Sequence, residues 1–490
     1  MAAAARYVLA LDEGSTGVRA LVFDRDGRLV ARRYREIAAL YPRPGWVEHD
    51  AQAIWERTLE VARDALAAAG ARGRDVAAIG VTGQRSTAVA WSRSSGHPLH
   101  TAISWQDLRT TERCAELAAQ GHIAEPLAAA TKLEWMVRND DGVRKAVERR
   151  DALLGTLESW LVWKLSGGAV HVTDASFASA TCLFDFFEKR WNAPLLDLLA
   201  IPSATLPEIH ASSERYGETE QALFDEKVPI AGMAGDQQAA MFGQLCLDPG
   251  ATKISYGTSA MADLNAGTSL LFSSNGAFPM VLWKLGDELH YCIEGVAITA
   301  GAALQWLRDG LGVLDAVADS DALARQVTDS GGVWAVPAFQ GLGTPHLDRE
   351  ARASIGGLSR GSTRAHVVRA VLEGVGLRCA ELFDALAADS PSGRPAVLRV
   401  DGGAAQNDFL MQFQSDVLGV AVERPEALEA AATGAAYLAG LGVGLWPDVD
   451  ALRRIWRLGA RFEPRMSADE RELRRDRFRK HVAAVREVGS

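Results

Sequence analysis

The stretch YVLALDEGSTGVRALVF, residues 7–23, sets a short polar loop between two apolar runs. The runs at residues 7–11 and 18–23 predict two strands, because short aliphatic runs bounded by glycine favour extended chain. Glycine permits the positive φ of a tight hairpin, which is one explanation of the loop. The loop is longer than a two-residue turn, however, and its N–H groups and hydroxyls could surround an anion. The loop alone therefore leaves a plain hairpin and a phosphate-binding loop as open alternatives.

The segments that follow extend this hairpin into an α/β domain. A turn at Asp26-Gly27 predicts a third strand in DRDGRLVARR, and the next segment predicts a helix with Asp50 as N-cap and Gly70 at its end. Further on, VPIAGMAGDQQAAMFGQL has the pattern of a strand that runs into a helix at Gly235-Asp236. Functional groups collect at such carboxyl ends of strands in α/β sheets.

The same pattern begins again after residue 250. ATKISYGTSAMADLN predicts a strand, a Gly-Thr-Ser turn and a strand, and VLRVDGGAAQNDF predicts a strand, a glycine pair and a helix. Two halves of this kind predict two α/β domains, residues 1–246 and 247–490, with a boundary near residues 244–252. The uncharged segment 430–446 is short for a membrane span and predicts a buried helix instead. The tail from Ser467 predicts a solvated helix with mixed charges.

The composition excludes several classes of function. The chain has 490 residues, 48% of them hydrophobic, and a formal net charge of -10, which is the wrong sign for a nucleic-acid partner. Five scattered cysteines without a C-x-x-C pair indicate reduced thiols in a cytoplasmic protein, not disulfides or a zinc site. An acid early in the N-terminal segment argues against an export signal, and no membrane association is expected.

Each candidate residue also has a purely structural alternative. Asp236 could merely cap the helix that it begins, and the glycine pair 402–403 could form a tight turn instead of a ligand site. Thr258 could belong to an ordinary hairpin, Arg85 in GQRSTA could lie on the surface, and Trp105 in ISWQDLR could be a core aromatic residue. No Walker-type G-x-x-x-x-G-K-[ST] loop competes with these motifs.

Taken in order, the motifs resemble those of the FGGY carbohydrate kinases, and within that family most of all the glycerol kinases. The similarity covers nearly the whole chain, through ALDEGSTGVRA, YPRPGWVEHDAQAIW, AIGVTGQR, GDQQAAMFGQLC, YGTSA, AGAALQWLRD, VPAFQGLGTPHLDREARASIGGLSRG and LRVDGGAAQNDFLMQFQSD. The resemblance implies an α/β fold of two actin-like (ribonuclease H-like) ATPase domains that flank an active-site cleft for ATP, Mg²⁺ and a polyol. DEGSTGVR resembles the first phosphate loop of the family and YGTSA the second.

The resemblance also implies roles for single residues. Asp236 matches the catalytic base, and Asp12 and Asp236 are placed to hold Mg²⁺ directly or through water. The implied substrate-binding positions are Arg85, Ser86, Trp105, Asp236 and Gln237. The implied nucleotide-binding positions are Ser15, Thr16, Gly17, Arg19, Thr258, Gly301, Gln305, Gly403 and Asn407. Phosphoryl transfer suits such a layout, because it relies mainly on positioning and charge neutralisation.

The polyol end departs from the glycerol kinase pattern. Ser86 stands where that group has a glutamate that accepts bonds from substrate hydroxyls, and a pocket-lining tyrosine is absent, with Leu127 as the nearest match. A pocket built to bind hydroxyls rejects ligands that leave its polar groups unpaired, so these changes affect specificity more than chemistry. The sequence therefore predicts a kinase for a primary hydroxyl of glycerol or a related short polyol. A four- or five-carbon polyol or ketose, of the erythritol, threitol, ribulose or xylulose type, is the alternative.

Two further alternatives come from other classes of protein. A non-catalytic sugar sensor on the kinase fold would not need Asp12, Asp236 and both phosphate loops. An actin-like or Hsp70-like ATPase would not need the polyol positions Arg85, Trp105 and Gln237. The predicted ligands are thus ATP and a small polyol, and the resemblance also admits a homodimer.

Overall fold

The computed structural model describes residues 6–489, and the chain divides into two compact units. The first unit runs up to Leu245 and also includes residues 281–289 and 431–456. The second unit begins at Cys246 and contains the rest. Residues 1–5, part of the segment on which the prediction of no export signal rests, lie outside the described residues. The division of the chain into family domains at 1–246 and 247–490 stays a prediction.

The secondary structure alternates between strands and helices in both units. The strands are β1 Tyr7–Glu13, β2 Gly17–Asp24, β3 Leu29–Glu36, β4 Ala39–Leu40, β5 Glu48–His49, β6 Val76–Gly83, β7 Ala88–Ser92, β8 Ala102–Ile103, β9 Ala152–Thr156, β10 Val172–Asp174, β11 Phe184–Asp185, β12 Arg190–Trp191, β13 Glu208–His210, β14 Ser213–Glu218, β15 Pro229–Gly235, β16 Thr252–Tyr256, β17 Ala260–Gly267, β18 Phe278–Leu285, β19 Glu288–Ala297, β20 Trp334–Val336, β21 Ser354–Gly356, β22 Val397–Asp401, β23 Ala421–Pro425 and β24 Leu458–Phe462. The helices are α1 Ala51–Ala68, α2 Thr111–Ala119, α3 Ala130–Asn139, α4 Asp141–Glu148, α5 Leu157–Leu165, α6 Ala175–Ala180, α7 Ala193–Leu198, α8 Gln221–Phe224, α9 Asp236–Gly243, α10 Gly301–Asp309, α11 Asp319–Ala324, α12 Arg364–Asp389, α13 Asp408–Leu418, α14 Ala430–Gly442, α15 Val449–Ile455 and α16 Ala468–Gly489.

The main sheet of the first unit has the strand order β14-β15-β6-β1-β2-β3. Strands β1, β2 and β3 form the predicted antiparallel meander, whereas β6 runs parallel to both β1 and β15. The predicted helix α1 is confirmed, because Asp50 Oδ1 accepts a bond of 3.1 Å from the N–H of Ala53 and thereby caps it. This unit also contains a second sheet, in the order β4-β5-β8-β7-β9, and the two-stranded sheets β10-β13 and β11-β12.

Helix α14 confirms the prediction of a buried helix in the glycine- and alanine-rich segment. It packs against the main sheet of the first unit, where a side-chain carbon added at Gly80 would meet the carbonyl of Ala435 and one added at Gly232 would meet Ala439. Glycine on the strands therefore lets a helix backbone approach the sheet closely. In the part of the chain that the structure describes, no helix is long and apolar enough to cross a membrane.

In the second unit the strands follow the order β19-β17-β16-β22-β23-β24. The predicted hairpin is formed by β16 and β17, and β22 lies parallel to β16. The tail is helical as predicted from Ser467, whose Oγ accepts a bond of 3.2 Å from the N–H of Glu470. The prediction that this helix is solvated was wrong for one face, because Phe478, Val482 and Val485 are buried in an apolar cluster.

The contact between α14 and α9 within the first unit can be tested at Gly434. A side-chain carbon at this position would collide with the carbonyl oxygen of Ala239, which is backbone and cannot rotate away. We expect Gly434→Ala to lower the free energy of unfolding by about 1–3 kcal/mol, as overpacked sites do. Urea denaturation measures the change. The control Gly361→Ala adds the same methyl group at an exposed position, where the added carbon would make only a normal van der Waals contact. Equal free energies of unfolding for the two variants would contradict the packing argument.

Candidate active site

Three parallel strands of the first unit end side by side and carry the predicted acids. In the register of the sheet, Asp12 of β1 and Ala234 of β15 both lie opposite Thr82 of β6. The residues that follow these strand ends are therefore neighbours, and they include Arg85 after β6 and Asp236 after β15. This arrangement is the edge of an α/β sheet at which ligands bind.

Asp236 and Arg85 form an ion pair at this edge. The Nε of Arg85 lies 3.3 Å from Oδ1 of Asp236, and the side chains are 15% and 36% exposed, respectively. The N–H of Gln237 also donates to Oδ1 of Asp236, at 2.8 Å. The N-cap of helix α9 is Gly235, not Asp236, so the alternative that Asp236 serves as the cap does not hold. An oriented and partly exposed carboxylate can accept a proton from a bound hydroxyl.

A buried serine and aspartate support the backbone beside Asp236. Ser176 Oγ accepts a bond of 2.9 Å from the N–H of Gly235 and donates to Oδ1 of Asp174, also at 2.9 Å. Oδ2 of Asp174 accepts a further bond of 2.6 Å from Ser212 Oγ. Burial raises the pKa of Asp174 to about 6, against the opposing effect of these hydrogen bonds. The sequence analysis missed this support, because Asp174 ends β10, a strand of only three residues.

The loop between β1 and β2 is closed by a backbone bond of 3.0 Å from the N–H of Gly14 to the carbonyl of Gly17, and side chains add further contacts. Gly14 and Gly17 do not have a left-handed φ, and Gly17 is small because a side-chain carbon there would collide with the ring of Tyr34. The carbonyl of Thr16 accepts a bond of 3.2 Å from the hydroxyl of Tyr34. Arg19 Nη1 lies 2.8 Å from Oδ2 of Asp12 and so brings a cation to this loop. The need for positive φ therefore does not explain the glycines of the loop.

Trp105 joins this loop to the polar turn that follows β6. Its indole Nε1 donates a bond of 2.8 Å to Ser15 Oγ, and its N–H donates to Thr87 Oγ1 at 3.2 Å. Thr87 Oγ1 in turn donates to Gln84 Oε1 at 2.8 Å, and Gln84 Nε2 donates to the carbonyl of Gly14 at 3.3 Å. Trp105 is thus tied to the candidate site by hydrogen bonds and is not only a core aromatic residue.

Ser86 adopts an unusual backbone conformation in the same turn. Its φ is +64°, and its Oγ donates a bond of 2.8 Å to the carbonyl of Ala180. The residue is 5% exposed. A serine hydroxyl can still accept a hydrogen bond through its lone pairs, so the substrate contact inferred for Ser86 stays a prediction. Leu127 is 44% exposed.

The second unit gathers the other predicted nucleotide-binding residues around β16 and β22. The carbonyl of Thr258 accepts a bond of 2.9 Å from the N–H of Ala300, and the carbonyl of Gly257 accepts one of 2.9 Å from Gly301. Gly402 has a φ of +87°, and a side-chain carbon there would lie 2.6 Å from the carbonyl oxygen of Tyr256. Gly402 therefore meets the needs of a tight turn.

Gly403 differs from its neighbour, because a side-chain carbon there would have no protein atom within 4 Å. Asn407 caps helix α13, with its Oδ1 accepting a bond of 2.8 Å from Leu410, and its Nδ2 donates to Ser320 Oγ at 3.0 Å. Gln305 is exposed on α10. The open space at Gly403 fits a close ligand, whereas Asn407 has a structural role as well. The nucleotide contacts of all these residues stay predictions.

Glu13 is a buried acid that the sequence analysis did not single out. It is 2% exposed, and its Oε1 accepts a bond of 2.7 Å from Thr58 Oγ1. The pKa of Glu13 is raised to about 8, mainly by burial and to a smaller extent by the charge of Asp12, against the lowering effect of the bond from Thr58. Glu13 is therefore largely protonated at neutral pH. The position of Glu13 beside Asp12, at the end of an apolar strand, is the feature of the sequence that could have identified it.

A magnesium ion would have to be held by few protein ligands. Among residues 6–489 the structure has no group of three or more acidic, histidine or cysteine side chains that could hold a metal. Mg²⁺ usually keeps several waters and binds one or two carboxylates together with substrate phosphates. The carboxylates of Asp12 and Asp236, at the ends of the two strands that flank β6, fit this sparse coordination.

The chain belongs to the FGGY family of carbohydrate kinases. The model of the family's N-terminal domain matches residues 7–243, and that of its C-terminal domain matches residues 252–443. The chain is 48% identical over 491 residues to the glycerol kinase of Bordetella parapertussis, covering 97% of this chain and 96% of that protein. It is 45% identical over 488 residues to glycerol kinase 2 of Thermotoga maritima, covering 98% of each.

Solved structures agree with this assignment. The glycerol kinase of Plasmodium falciparum with ADP matches with a TM-score of 0.90 at 29% identity, covering 98% of both chains. A xylulose-type sugar kinase from Brucella ovis matches with a TM-score of 0.82 at 26% identity, covering 97% of this chain and 98% of that one. The predicted α/β kinase fold is thus confirmed.

The raised pKa of Glu13 predicts a pH dependence of stability. The unfolded chain releases this proton near its ordinary pKa of 4.5, and the folded chain does so near 8. The folded state therefore loses stability as pH rises from about 4.5 to about 8, by up to about 1.4 kcal/mol per pH unit. We expect Glu13→Gln, which stays neutral, to gain stability relative to the wild type between pH 6 and pH 8.

Urea denaturation at the two pH values measures this difference. The control is Glu112→Gln, which removes an exposed carboxylate from the same unit and should leave the pH dependence unchanged. Parallel pH curves for the wild type and Glu13→Gln would show that Glu13 is ionised in the folded protein throughout this range.

Proposed function

We propose that this chain transfers the γ-phosphoryl group of ATP to a primary hydroxyl of glycerol. The observation that carries the proposal is the pair of Asp236 and Arg85 at the end of a parallel strand, in a chain 43–48% identical over nearly its full length to proteins named glycerol kinase. Such identity makes a change of reaction class improbable, and the carboxylate supplies the base that the reaction uses.

The acceptor side of the reaction is assigned to the first unit. Asp236 takes the proton from the attacking hydroxyl, and general base help of this kind contributes about 10²–10⁴ in rate. Arg85 holds the carboxylate in place through its 3.3 Å contact and presents further N–H donors to the alcohol. Trp105 gives the carbon chain an apolar surface, and Gln237 adds an amide next to the base.

The donor side uses the loop after β1 and the turns of the second unit. Ser15, Thr16 and Arg19 offer hydroxyl, amide and guanidinium donors to phosphate oxygens, as nests in phosphate loops do. In the second unit, Thr258 is assigned to the second phosphate loop, and Gly403 is assigned to a contact with the nucleotide. A bound Mg²⁺ would neutralise phosphate charge, and Asp12 and Asp236 are the residues that would hold it.

A longer acceptor is the second candidate, because of Ser86. This short side chain, which donates to the carbonyl of Ala180, offers no carboxylate to the substrate. The exposed Leu127 likewise offers no hydroxyl. A four- or five-carbon polyol or ketose would need more room and fewer charged partners. We favour glycerol over these longer substrates because the chain has high sequence identity to glycerol kinases.

The cytoplasm is the compartment in which we expect this reaction. The five cysteines are all free thiols, which suits a reducing environment. ATP as the phosphate donor is consistent with the same compartment.

The proposal is tested by measuring ADP formation and the phosphorylated product over a panel of polyols and ketoses that includes glycerol, erythritol, ribulose and xylulose. We expect glycerol to give the highest kcat/KM. We expect Asp236→Asn to lower kcat by about 10²–10⁴ with every substrate, because the base is lost, while ATP binding remains. A wild type without activity on any member would overturn the proposal, and a better longer substrate would favour the second candidate.

Gly403 provides a separate test of the nucleotide side. Because no protein atom lies near its missing side chain, Gly403→Val should fold normally and occupy ligand space. We expect the KM for ATP to rise about tenfold or more, with the KM for the polyol within about twofold. Gly402→Ala, at a φ of +87°, should instead lower the melting temperature. A parallel rise of both KM values in Gly403→Val would remove Gly403 from the nucleotide site.

A further inference from the structure

Lys132 is a fully buried lysine in the first unit, on helix α3. Its exposure is 0%, and lysine is seldom buried to this degree without partners. Its Nζ donates a bond of 3.0 Å to the carbonyl of Trp105 and one of 3.3 Å to the carbonyl of Leu127. The lysine therefore bonds to the backbone of two residues rather than to a carboxylate.

These two carbonyls belong to separate segments of the chain. Trp105 lies in the turn after β8, and its indole reaches Ser15 in the loop after β1. Leu127 lies in the segment before α3 and is the nearest match to the pocket-lining tyrosine that this chain lacks. Lys132 is thus bonded to the backbone of both segments.

The rest of the Trp105 turn is rigid for a different reason. Asp107 Oδ2 accepts a bond of 2.6 Å from the N–H of Val47, and the buried Arg109 binds both Asp107 and Glu48. The guanidinium of Arg109 lies 3.7 Å from the ring centre of Trp46. These contacts fix the end of the turn beyond Trp105. The carbonyls of Trp105 and Leu127, in contrast, accept their bonds from Lys132.

We propose that Lys132 is a positioning residue for the acceptor alcohol, which fixes the backbone of Trp105 and Leu127 and so sets the affinity for the polyol but not for ATP. The proposal rests on the proposed function, because it assumes that Trp105 contacts the polyol. In this proposal, Lys132 does not touch the substrate but controls the affinity for it.

The surroundings of Lys132 add a second property. Burial lowers its pKa to about 7, and Asp107 partly opposes this effect. The other charged or titratable groups that face it are Arg109, Cys114 and Cys182, and Glu125 acts on the two thiols. The ammonium form makes stronger hydrogen bonds to carbonyls than the neutral amine. The two segments are therefore held more firmly below pH 7 than above it.

The first experiment compares wild type, Lys132→Met and Lys132→Gln in steady-state assays with glycerol and ATP varied separately. We expect Lys132→Met to raise the KM for the polyol about tenfold or more, with the KM for ATP within about twofold. Lys132→Gln keeps a donor group, so its KM for the polyol should lie between those of the wild type and Lys132→Met. Lys145→Met, an exposed substitution on the adjacent helix α4, is the matched control and should change neither constant.

The second experiment measures the pH dependence of the KM values in the wild type, a result that does not depend on the folding of a variant, and uses Lys132→Met as the comparison. The KM for the polyol should rise roughly threefold or more between pH 6 and pH 8.5. The KM for ATP should change less over this range. In Lys132→Met the rise in the KM for the polyol should be absent. A flat polyol KM in the wild type, or an equal loss of both affinities in Lys132→Met, would overturn the positioning role and leave the kinase proposal intact. A wild type inactive on every polyol would overturn both.

Discussion

The parallel register of β1, β6 and β15 is the constraint on which the candidate site depends. It places Asp12, Arg85 and Asp236 at one edge of a sheet although they are far apart in sequence. The ladder fixes this arrangement because a shift of one residue would turn every side chain to the opposite face. Close packing of α14 through Gly80 and Gly232 supports the same strands from one face. The chemistry of the carboxylates is therefore built on a rigid backbone.

Buried polar groups then hold the loops that leave this edge. Ser176 and Asp174 bind the backbone before Asp236, and Lys132 binds the backbone of Trp105. An unsatisfied buried polar group costs about 1–3 kcal/mol, so each of these groups strongly favours the one loop conformation that satisfies it. Substrate positioning of this kind is the main contribution that a protein makes to phosphoryl transfer. It also gives a reason for the burial of Asp174 and Lys132 beside these loops.

The family and the fold class could be predicted from the sequence, because both depend on local patterns. Hairpins around glycine-rich turns, the capped helix α1 and the ordered kinase motifs are each complete within a few tens of residues. Asp12, Arg85 and Asp236 lie at the ends of parallel strands for the same reason, since strands that end in polar turns align in a parallel sheet. The solvated tail was predicted only in part, because the partners of Phe478 and Val482 lie more than a hundred residues away.

The sequence by itself determined the strand and helix types, the family and the residues that meet at the strand ends. Only the tertiary structure decided that residues 431–456 pack with the first unit, that the hydroxyl of Ser86 is bonded to Ala180, and that Lys132 is buried. These properties depend on atoms brought together over long sequence separations, and no local spacing encodes them. Gly402 and Gly403 show the division most clearly, because the adjacent glycines look equivalent in the sequence. The backbone around Tyr256 requires the first of them, and the second faces open space.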